Sequence, residues 1–198
     1  MLSKRELFRQ LFHIGVGLLA VFLFYVDIIG PWTVFLLVVV GVLASILSKR
    51  VRLPFFSYFL DRFEREEQRK KFPGKGMIFF FVGVLLAMKL FEKDIALAAI
   101  MVLSLGDSVS HIFGAQFGQI KNIFNGKSKK LLEGTIAGAL AGFIGAVLFV
   151  PLPEAFLGSL GAMIAEVVKI DLNDTTLDDN LIVPLVAGTI MLLVGRLI

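Results

Sequence analysis

The sequence contains no cysteine among its 198 residues. This absence excludes disulfides, thiolate metal sites and a cysteine nucleophile, although it does not assign the chain to a compartment. Internal repeats and low-complexity stretches are also missing. Apolar residues are abundant instead: 57% of the chain is hydrophobic, 20 residues are Phe, and the mean hydropathy is +0.87. Because soluble domains average roughly 45–50% apolar residues, this composition predicts a protein whose solvent is a lipid bilayer.

The apolar runs predict an all-α, polytopic membrane bundle of about seven transmembrane helices. Crossing the hydrocarbon core takes roughly 20 apolar residues, and several of the runs are slightly shorter, so a count of six follows if one of them is re-entrant. The length leaves no room for a second soluble domain, and we expect a single domain over residues 1–198. The predicted helices are 8–28, 31–48, 76–91, 94–118, 134–151, 155–169 and 180–197.

Lysine and arginine residues are distributed very unevenly between the two ends of the predicted helices. With seven spans, the N-terminal segment and the connections 49–75 and 119–133 fall on one side and carry most of the basic residues. The opposite side holds Lys89, Lys93 and Arg196. Because basic loops are retained in the cytoplasm, we expect the N-terminus and these connections to be cytoplasmic. No small-residue cleavage site follows the first apolar run, which predicts a retained helix.

The connection at about 49–75 contains a stretch of mixed charge, FFSYFLDRFEREEQRKKF, with apolar residues at helical spacing. This pattern predicts an amphipathic helix on the membrane surface whose basic side chains face anionic headgroups. A direct role of these charges in ligand binding is the alternative.

Three ionisable residues lie inside predicted spans: Asp107, His111 and Glu166. Placing such a group in a membrane costs about 2.5–3.5 kcal/mol on insertion scales, which favours a functional role. Asp107 and His111 are four residues apart and therefore share one helix face. Asp107 also falls in the half of its span nearest the basic 119–133 loop. The structural alternatives are a buried Asp107 that is hydrogen-bonded to a neighbouring helix and a His111 that only packs.

Glycines follow this acidic position at regular spacing. Gly114 and Gly118 come first, and Gly134, Gly138 and Gly142 lie four residues apart in the next predicted helix. Such spacing is typical of closely packed membrane helices, and we expect close packing for the second set. Gly114 and Gly118 lie between a buried acid and a basic loop, where a missing side chain would let a phosphate approach the backbone.

The loop between these helices reads FGQIKNIFNGKSKKLLEGT. Its Gly-Lys-Ser is not a P-loop, because Lys121 occupies the position of the earlier glycine and no strand precedes it. The loop supplies three lysines shortly before the next helix: Lys127, Lys129 and Lys130. Lysines beside a helix N-terminus form a favourable polyphosphate site. An ordinary basic cytoplasmic loop would explain the lysines, but not the adjacent Glu133 and Gly134.

Paired carboxylates precede the last predicted helix. Asp178 and Asp179 offer hard oxygen ligands there, and Glu166 lies in the preceding helix. Carboxylates beside a lysine-rich loop are what magnesium-nucleotide chemistry requires, since the metal bridges phosphates while lysines neutralise the remaining charge. Acids at a helix N-terminus also stabilise the helix dipole without any ligand.

Two further elements carry candidate ligands. The PGKG element places Lys75 at the start of a predicted helix, where it would bind an anion or simply lie in a turn at the interface. In RELFRQLFHIGVG, Arg9 and His13 belong to one polar stripe that enters the membrane. Arg9 would bind substrate or anchor the helix at the interface.

These motifs resemble the nucleotide-binding region of CTP-dependent lipid kinases, the family of dolichol kinase, phytol kinase and CTP-dependent diacylglycerol kinase. The family motif has an Asp, two glycines four residues apart, a variable basic stretch and Lys-Lys-Thr-x-Glu-Gly. Leu131 stands in place of the Thr of that motif. The elements ELFRQLFHIGVG, PGKG and DDNLIVPLVAG are similar as well, so the resemblance covers most of the chain. The matching motif residues are Asp107, Gly114, Gly118, Lys129, Lys130, Glu133 and Gly134.

The resemblance implies transfer of the CTP γ-phosphoryl group to the hydroxyl of a membrane lipid alcohol, either polyprenol- or dolichol-like or a diradylglycerol. On this hypothesis the catalytic residues are Asp107, as magnesium ligand or general base, and Glu133. The expected nucleotide-binding residues are Lys75, Gly114, Gly118, Lys127, Lys129, Lys130 and Gly134. The expected Mg²⁺ ligands are Asp107, Glu166, Asp178 and Asp179. The expected substrate-binding residues are Arg9, His13 and His111.

Two other functions fit the sequence. A cytidylyltransferase that makes a CDP-activated lipid would use the same anion site, although the chain lacks the Asp-Arg-x-x-Asp cluster of CDP-diacylglycerol synthases. A lipid or ion transporter would use Asp107, His111 and Glu166 as a relay. The expected partners are CTP, a lipid alcohol and the membrane, with no nucleic acid. The sequence does not determine the oligomeric state or the particular alcohol, and it selects CTP over ATP through the resemblance alone.

Overall fold

The computed structural model describes residues 2–51, 53–64, 72–123, 130–168, 171–172, 175–176 and 178–197. It contains a helix at each of the seven positions predicted from the apolar runs, and a short helix in the 49–75 connection. The helices are α1 (Lys4–Tyr25), α2 (Pro31–Ser48), α3 (Pro54–Phe63), α4 (Lys75–Leu90), α5 (Lys93–Met101), α6 (Ser108–Phe117), α7 (Leu132–Ala146), α8 (Leu152–Val168) and α9 (Asp179–Leu197). A π-helical segment, Val102–Asp107, joins α5 to α6. Two antiparallel two-residue strands, β1 (Asp171–Leu172) and β2 (Thr175–Thr176), lie between α8 and α9.

Four helical segments of the described residues are long and apolar enough to cross a membrane. They are α1, α2, the continuous segment Lys93–Phe117 and α9, whereas α7 is apolar but shorter. The predicted helical fold class is therefore confirmed, and the helices fit an integral membrane protein. The number of crossings, about seven, stays a prediction.

The helix boundaries follow from local chemistry. The Ser3 hydroxyl accepts a hydrogen bond from the Glu6 N–H (3.1 Å) and so caps α1. Prolines occupy the first positions of α2 and α3, where their missing N–H costs nothing. Gly74 precedes α4 with a φ of 79°, a left-handed conformation that glycine adopts without strain. These signals lie at the ends of the apolar runs, which explains why the runs located the helices well.

The segment Lys93–Phe117 is the most buried of the four long apolar segments. α7 packs closely against it through glycines. A Cβ atom on Gly138 would lie 2.7 Å from the carbonyl oxygen of Gly106, and one on Gly134 would lie 2.6 Å from the carbonyl oxygen of Ser110. Both distances are too short for a real Cβ atom, so the predicted close packing of Gly134 and Gly138 is confirmed.

Polar contacts join neighbouring segments at each of the two ends of α1. Arg5 of α1 donates to the carbonyl oxygens of Asp61 and Glu64 at the end of α3, so segments predicted to be cytoplasmic meet one another. At the other end of α1, Lys93 forms an ion pair with Asp27 (2.7 Å). The grouping agrees with the charge pattern, while the orientation in the membrane stays a prediction.

The amphipathic helix predicted in the 49–75 connection is present as α3. Its apolar face contacts protein, because the rings of Phe12 and Phe63 stack at 4.4 Å and those of Phe12 and Phe59 lie 5.7 Å apart. Tyr58 and Arg62 lie on its exposed side. Most of the basic run that follows, residues 65–71, lies outside the described residues.

Candidate active site

A buried ionic cluster lies where the π-helical segment, α8 and α9 meet the residue that precedes α7. Its centre is the ammonium group of Lys130, which lies 3.2 Å from Asp179 Oδ2 and 3.6 Å from Asp107 Oδ1 and forms an ion pair with Glu166 as well. Glu166 is completely buried and Asp107 is nearly so. We call these four residues, Asp107, Lys130, Glu166 and Asp179, the acid–lysine cluster.

The π-helical segment determines where Asp107 lies. In a π-helix the hydrogen bonds run from i to i+5, which widens the turn, and such segments occur frequently at functional sites. Val102–Asp107 ends at the carboxylate, and regular α-helix resumes at Ser108. The helix face that follows carries His111, whose Nε2 lies 3.5 Å from Asp107 Oδ1. The predicted pairing of Asp107 and His111 on one face is therefore confirmed.

The charges of the acid–lysine cluster do not balance. Three carboxylates surround one ammonium group, which leaves two negative charges uncompensated within the cluster. Glu166 Oε2 is buried and accepts no hydrogen bond from any described residue. A buried carboxylate oxygen without a partner is costly, so this environment suits an additional cation.

The donor atoms have the chemistry and spacing of a cation site. One ligand-capable atom from each of Asp107, His111, Glu166 and Asp179 lies within 4.8 Å of the others. Three of these residues offer carboxylate oxygens, the ligands that Mg²⁺ prefers. The residues therefore fit a divalent cation that is held mainly by oxygen.

Asp178 lies apart from this group, although it is adjacent to Asp179 in sequence. Its carboxylate accepts hydrogen bonds from the side chain of Asn180 (2.8 Å) and from the Asn180 backbone N–H (3.3 Å), and so caps α9. Lys75 Nζ lies 3.3 Å from Asp178 Oδ2. The predicted nucleotide ligand Lys75 is thus placed beside the predicted metal ligand Asp178, at the edge of the acid–lysine cluster.

Glu133 also lies outside the acid–lysine cluster. Its carboxylate accepts hydrogen bonds from the backbone N–H groups of Gln119 (2.9 Å) and Ile120 (3.1 Å), which ties the start of the 119–133 loop to the start of α7. Backbone N–H groups of Glu133 itself, Gln119 and Ile120 hold the pKa of this exposed carboxyl below its ordinary value. The geometry gives Glu133 a positioning contact, and its predicted catalytic role stays a prediction.

Additional contacts close the two ends of the same loop. Lys121 and Leu131 form an isolated antiparallel bridge, and the buried Asn122 side chain donates to the Thr135 hydroxyl (2.8 Å). These contacts bring the chain back beside α6 and hold the backbone next to Lys130 in place, which positions its side chain in the cluster. Lys127 and Lys129, two predicted nucleotide ligands, lie outside the described residues.

The glycines predicted to approach a phosphate pack against protein. A Cβ atom on Gly114 would meet the Cα of Gly134 at 3.5 Å, an ordinary contact. One on Gly118 would clash with the side chain of Leu131. Close packing therefore accounts for Gly118 and Gly134, and a nucleotide contact at Gly114, Gly118 or Gly134 stays a prediction.

The predicted substrate ligands of α1 lie beside the acid–lysine cluster. Arg9 forms an ion pair with Glu6, which also accepts a hydrogen bond from Gln10 (3.1 Å). His13 lies one turn further into α1, and after one more turn Gly17 packs so closely against the π-helical segment that a Cβ atom there would clash with the Ser104 side chain. The three predicted substrate-binding residues are therefore grouped at one side of the cluster.

The same side opens into an apolar cavity of about 320 Å³ between α1, α3 and the start of α4. Sequence reasoning missed this cavity, although the four-residue spacing of Phe59 and Phe63 signalled the apolar face of its wall. Its principal apolar residues are Phe12, Val16, Phe59, Phe63, Met77 and Phe81. Arg9, His13 and Glu64 supply the ionisable groups.

Apolar helices around a largely buried acid–lysine cluster fit an integral membrane protein that carries an ionic site among its helices. An uncharacterized protein from Methanocaldococcus jannaschii is 31% identical to the chain, over 94% of this chain and 93% of that protein. CTP-dependent diacylglycerol kinase 1 of Schizosaccharomyces pombe is 25% identical, over 97% of this chain and 94% of that protein. The Saccharomyces cerevisiae protein of the same name is also 25% identical, over 72% of this chain and 50% of its own length.

The chain is thus similar to the CTP-dependent diacylglycerol kinases of three fungi, at 25–27% identity, which supports the family of CTP-dependent lipid kinases. It spans about half the length of the Saccharomyces relative and nearly all of the Schizosaccharomyces one. No family model matches the chain, and no solved structure matches it. The predicted resemblance is thus confirmed by similarity over 72–97% of the chain.

Proposed function

We propose that the protein is a membrane-embedded kinase that transfers the γ-phosphoryl group of CTP to the hydroxyl of a lipid alcohol. The observation that carries the proposal is the acid–lysine cluster, in which Lys130 is surrounded by the buried carboxylates of Asp107 and Glu166 and the partly buried carboxylate of Asp179. Burying so many charges in an apolar bundle is expensive, which favours a functional role for them. The names of the fungal relatives support CTP as donor and a diacylglycerol as acceptor.

The proposed donor site lies at the end of the bundle where the 119–133 loop meets α4 and α9. Lys75 and Lys130 would neutralise phosphate charge, together with Lys127 and Lys129. Phosphoryl transfer depends mainly on positioning and on charge neutralisation, since the protein has little covalent chemistry to perform. A lysine that is held by buried acids is well suited to this task, because its position is determined before the nucleotide binds.

Glu166 and Asp179 would hold Mg²⁺, and Asp107 would act either as a third ligand or as the general base. The unpartnered Oε2 of Glu166 and the two uncompensated negative charges of the cluster support this assignment. When bound, the metal supplies charge neutralisation at the β- and γ-phosphates. Asp178 stays a candidate ligand through a rearrangement of its contact with Lys75.

The reaction would proceed at the side of the cluster that faces His13 and His111. The oxygen of the lipid hydroxyl forms a bond to the γ-phosphorus of CTP, and the bond from that phosphorus to the bridging oxygen of CDP breaks. Where Asp107 acts as the general base, it takes the hydroxyl proton, and His111, 3.5 Å away, orients its carboxylate. The products are CDP and a lipid monophosphate.

Purified protein with CTP labelled on either the α- or the γ-phosphate tests this proposal. Incubation with a diacylglycerol or a polyprenol in detergent and magnesium should place the γ-label in the lipid and leave the α-label in CDP. Transfer of the α-label to the lipid, with release of pyrophosphate, would instead establish a cytidylyltransferase. Parallel incubations with ATP determine the nucleotide.

A transporter that uses Asp107, His111 and Glu166 as a relay is the candidate of a different class. The structure brings the three side chains together, which a relay requires as much as a kinase does. An Asp107→Asn variant separates the two functions. A kinase loses lipid phosphorylation with this substitution, whereas phosphorylation at the wild-type rate would favour the transporter.

A further inference from the structure

The apolar cavity beside α1 has a defined wall and a defined polar end. Phe12 of α1 packs against Phe59 and Phe63 of α3, and the end of α3 is tied down because Arg5 donates to the Asp61 and Glu64 carbonyl oxygens. The Glu64 carboxylate also accepts a hydrogen bond from the buried N–H of Gly74 (2.9 Å). α3 is therefore held in place as one wall of the cavity.

The polar end of the cavity points toward the acid–lysine cluster. Arg9 and His13 both line the cavity. α1 packs against the π-helical segment that ends at Asp107, because a Cβ atom on Gly17 would clash with the Ser104 side chain. Arg9 Nε is buried and makes no hydrogen bond to a described residue. A ligand in this cavity would thus have an apolar body and a polar group that is directed to Arg9, His13 and Asp107.

The cavity size limits what it can contain. Its volume of about 320 Å³ lies at the small end of the roughly 300–1,000 Å³ that small-molecule pockets occupy. It accommodates the part of a lipid adjacent to the hydroxyl and leaves the remaining chain in the bilayer. A nucleotide does not suit it, since its lining is almost entirely apolar and contains one acid, Glu64, beside Arg9 and His13.

We propose that this cavity is the acceptor pocket, which holds the hydroxyl-bearing segment of the lipid alcohol with its oxygen directed past His13 toward Asp107. The assignment rests on the proposed function for the identity of the ligand. It makes α3 a wall of the substrate site, with Phe59 and Phe63 as contacts that select an apolar chain.

Two glycines provide a matched test of the acceptor pocket. Gly76 lines the cavity and Gly15 does not, yet a Cβ atom on either would meet no other atom within 4 Å. Gly76→Leu therefore fills the cavity without a backbone clash, while Gly15→Leu adds the same side chain to an exposed helical position. A single methylene group changes the discrimination of an apolar pocket between substrates by roughly 10–200-fold. Leucine adds more than one carbon atom, so we expect the KM for the lipid alcohol to rise by roughly 10-fold or more in Gly76→Leu. The KM for CTP should stay at the wild-type value in both variants.

Direct binding separates this inference from the proposed reaction. Radiolabelled dioleoylglycerol and radiolabelled geranylgeraniol are each bound to detergent-purified protein without nucleotide. Loss of binding in Gly76→Leu and its retention in Gly15→Leu support the acceptor pocket, even if no nucleotide is ever consumed. Whichever of the two labelled lipids binds more tightly identifies the acceptor class.

Unchanged lipid binding and unchanged lipid KM in Gly76→Leu would overturn the acceptor pocket, even where γ-label from CTP reaches the lipid. If Gly76→Leu does not fold, Val16→Phe fills the same cavity from α1, with Leu18→Phe at an exposed position as its control. Equal lipid KM values in that pair would overturn the inference in the same way.

Discussion

Replacing Gly134 with alanine should disturb the candidate active site by separating two helices. A Cβ atom at Gly134 would lie 2.6 Å from the carbonyl oxygen of Ser110 and 2.9 Å from the Cα of Gly114. Both are backbone atoms, which cannot rotate away. α6 and α7 must therefore move apart, or the contact must remain strained. Because α7 follows Lys130 and α6 follows Asp107, this movement also alters the acid–lysine cluster.

The reciprocal substitution Gly114→Ala is the matched control. Its Cβ atom would meet Gly134 Cα at 3.5 Å, which is 0.9 Å longer than the closest contact in Gly134→Ala. Both variants gain up to about 1 kcal/mol of helix propensity, so this gain cancels in the comparison. Overpacking typically costs about 1–3 kcal/mol, and we expect Gly134→Ala to be less stable than Gly114→Ala by that amount.

Thermal unfolding in detergent, followed by circular dichroism, measures this difference. For a chain of this size 1 kcal/mol corresponds to roughly 2–4 °C, so the melting temperature of Gly134→Ala should lie roughly 2–12 °C below that of Gly114→Ala. Equal melting temperatures would refute the packing account of these glycines. A Gly114→Ala variant of unchanged stability but weakened CTP binding would instead support the predicted phosphate contact at Gly114.

Three further predictions concern the cluster and its loop. Lys130→Met should abolish activity and cost about 3–5 kcal/mol in a denaturation assay, because it leaves buried acids without their cation; unchanged stability would contradict this ionic arrangement. Removing magnesium with a chelator should abolish activity, and Glu166→Gln should raise the magnesium concentration needed for half-maximal rate, whereas an unshifted requirement would argue against Glu166 as a ligand. Glu133→Ala should speed hydrogen exchange of the Gln119 and Ile120 amides and raise the KM for CTP. The pKa of Glu133 is lowered from its ordinary 4.5. The hydrogen bonds from the Gln119 and Ile120 N–H groups to its carboxylate are therefore complete above that pH and weaken as the pH falls through the lower pKa of the folded protein. Exchange rates in Glu133→Ala that equal those of the wild type would contradict these hydrogen bonds.

Local pattern was sufficient to predict the helices and one contact of the site. Several of the helices begin where the sequence carries a cap, a proline or a glycine, as α1, α2 and α4 do. The pairing of His111 with Asp107 followed from their four-residue spacing alone. The close approach of α7 to its neighbour was likewise predictable from the glycine spacing at Gly134 and Gly138.

Only the three-dimensional structure shows that the four residues of the acid–lysine cluster lie together. Lys130, Glu166 and Asp179 come from separate elements, and no local periodicity states which helices are neighbours. From the sequence, Asp178 and Asp179 are equally good candidates for metal ligands. In the structure α9 begins between them, so Asp178 caps the helix while Asp179 reaches Lys130. The π-helical turn before Asp107 has no hydropathy signature, and the pocket beside α3 depends on tertiary packing of Phe12.

We propose that the acid–lysine cluster transfers phosphate from CTP to a lipid alcohol. The most direct measurement follows the γ-label of CTP into lipid monophosphate with wild-type protein and with Asp107→Asn in parallel. We predict labelled lipid from the wild type and a rate lower by about 10²-fold or more in the variant. No labelled lipid from folded wild-type protein with any lipid alcohol, or equal rates from the two proteins, would contradict the claim.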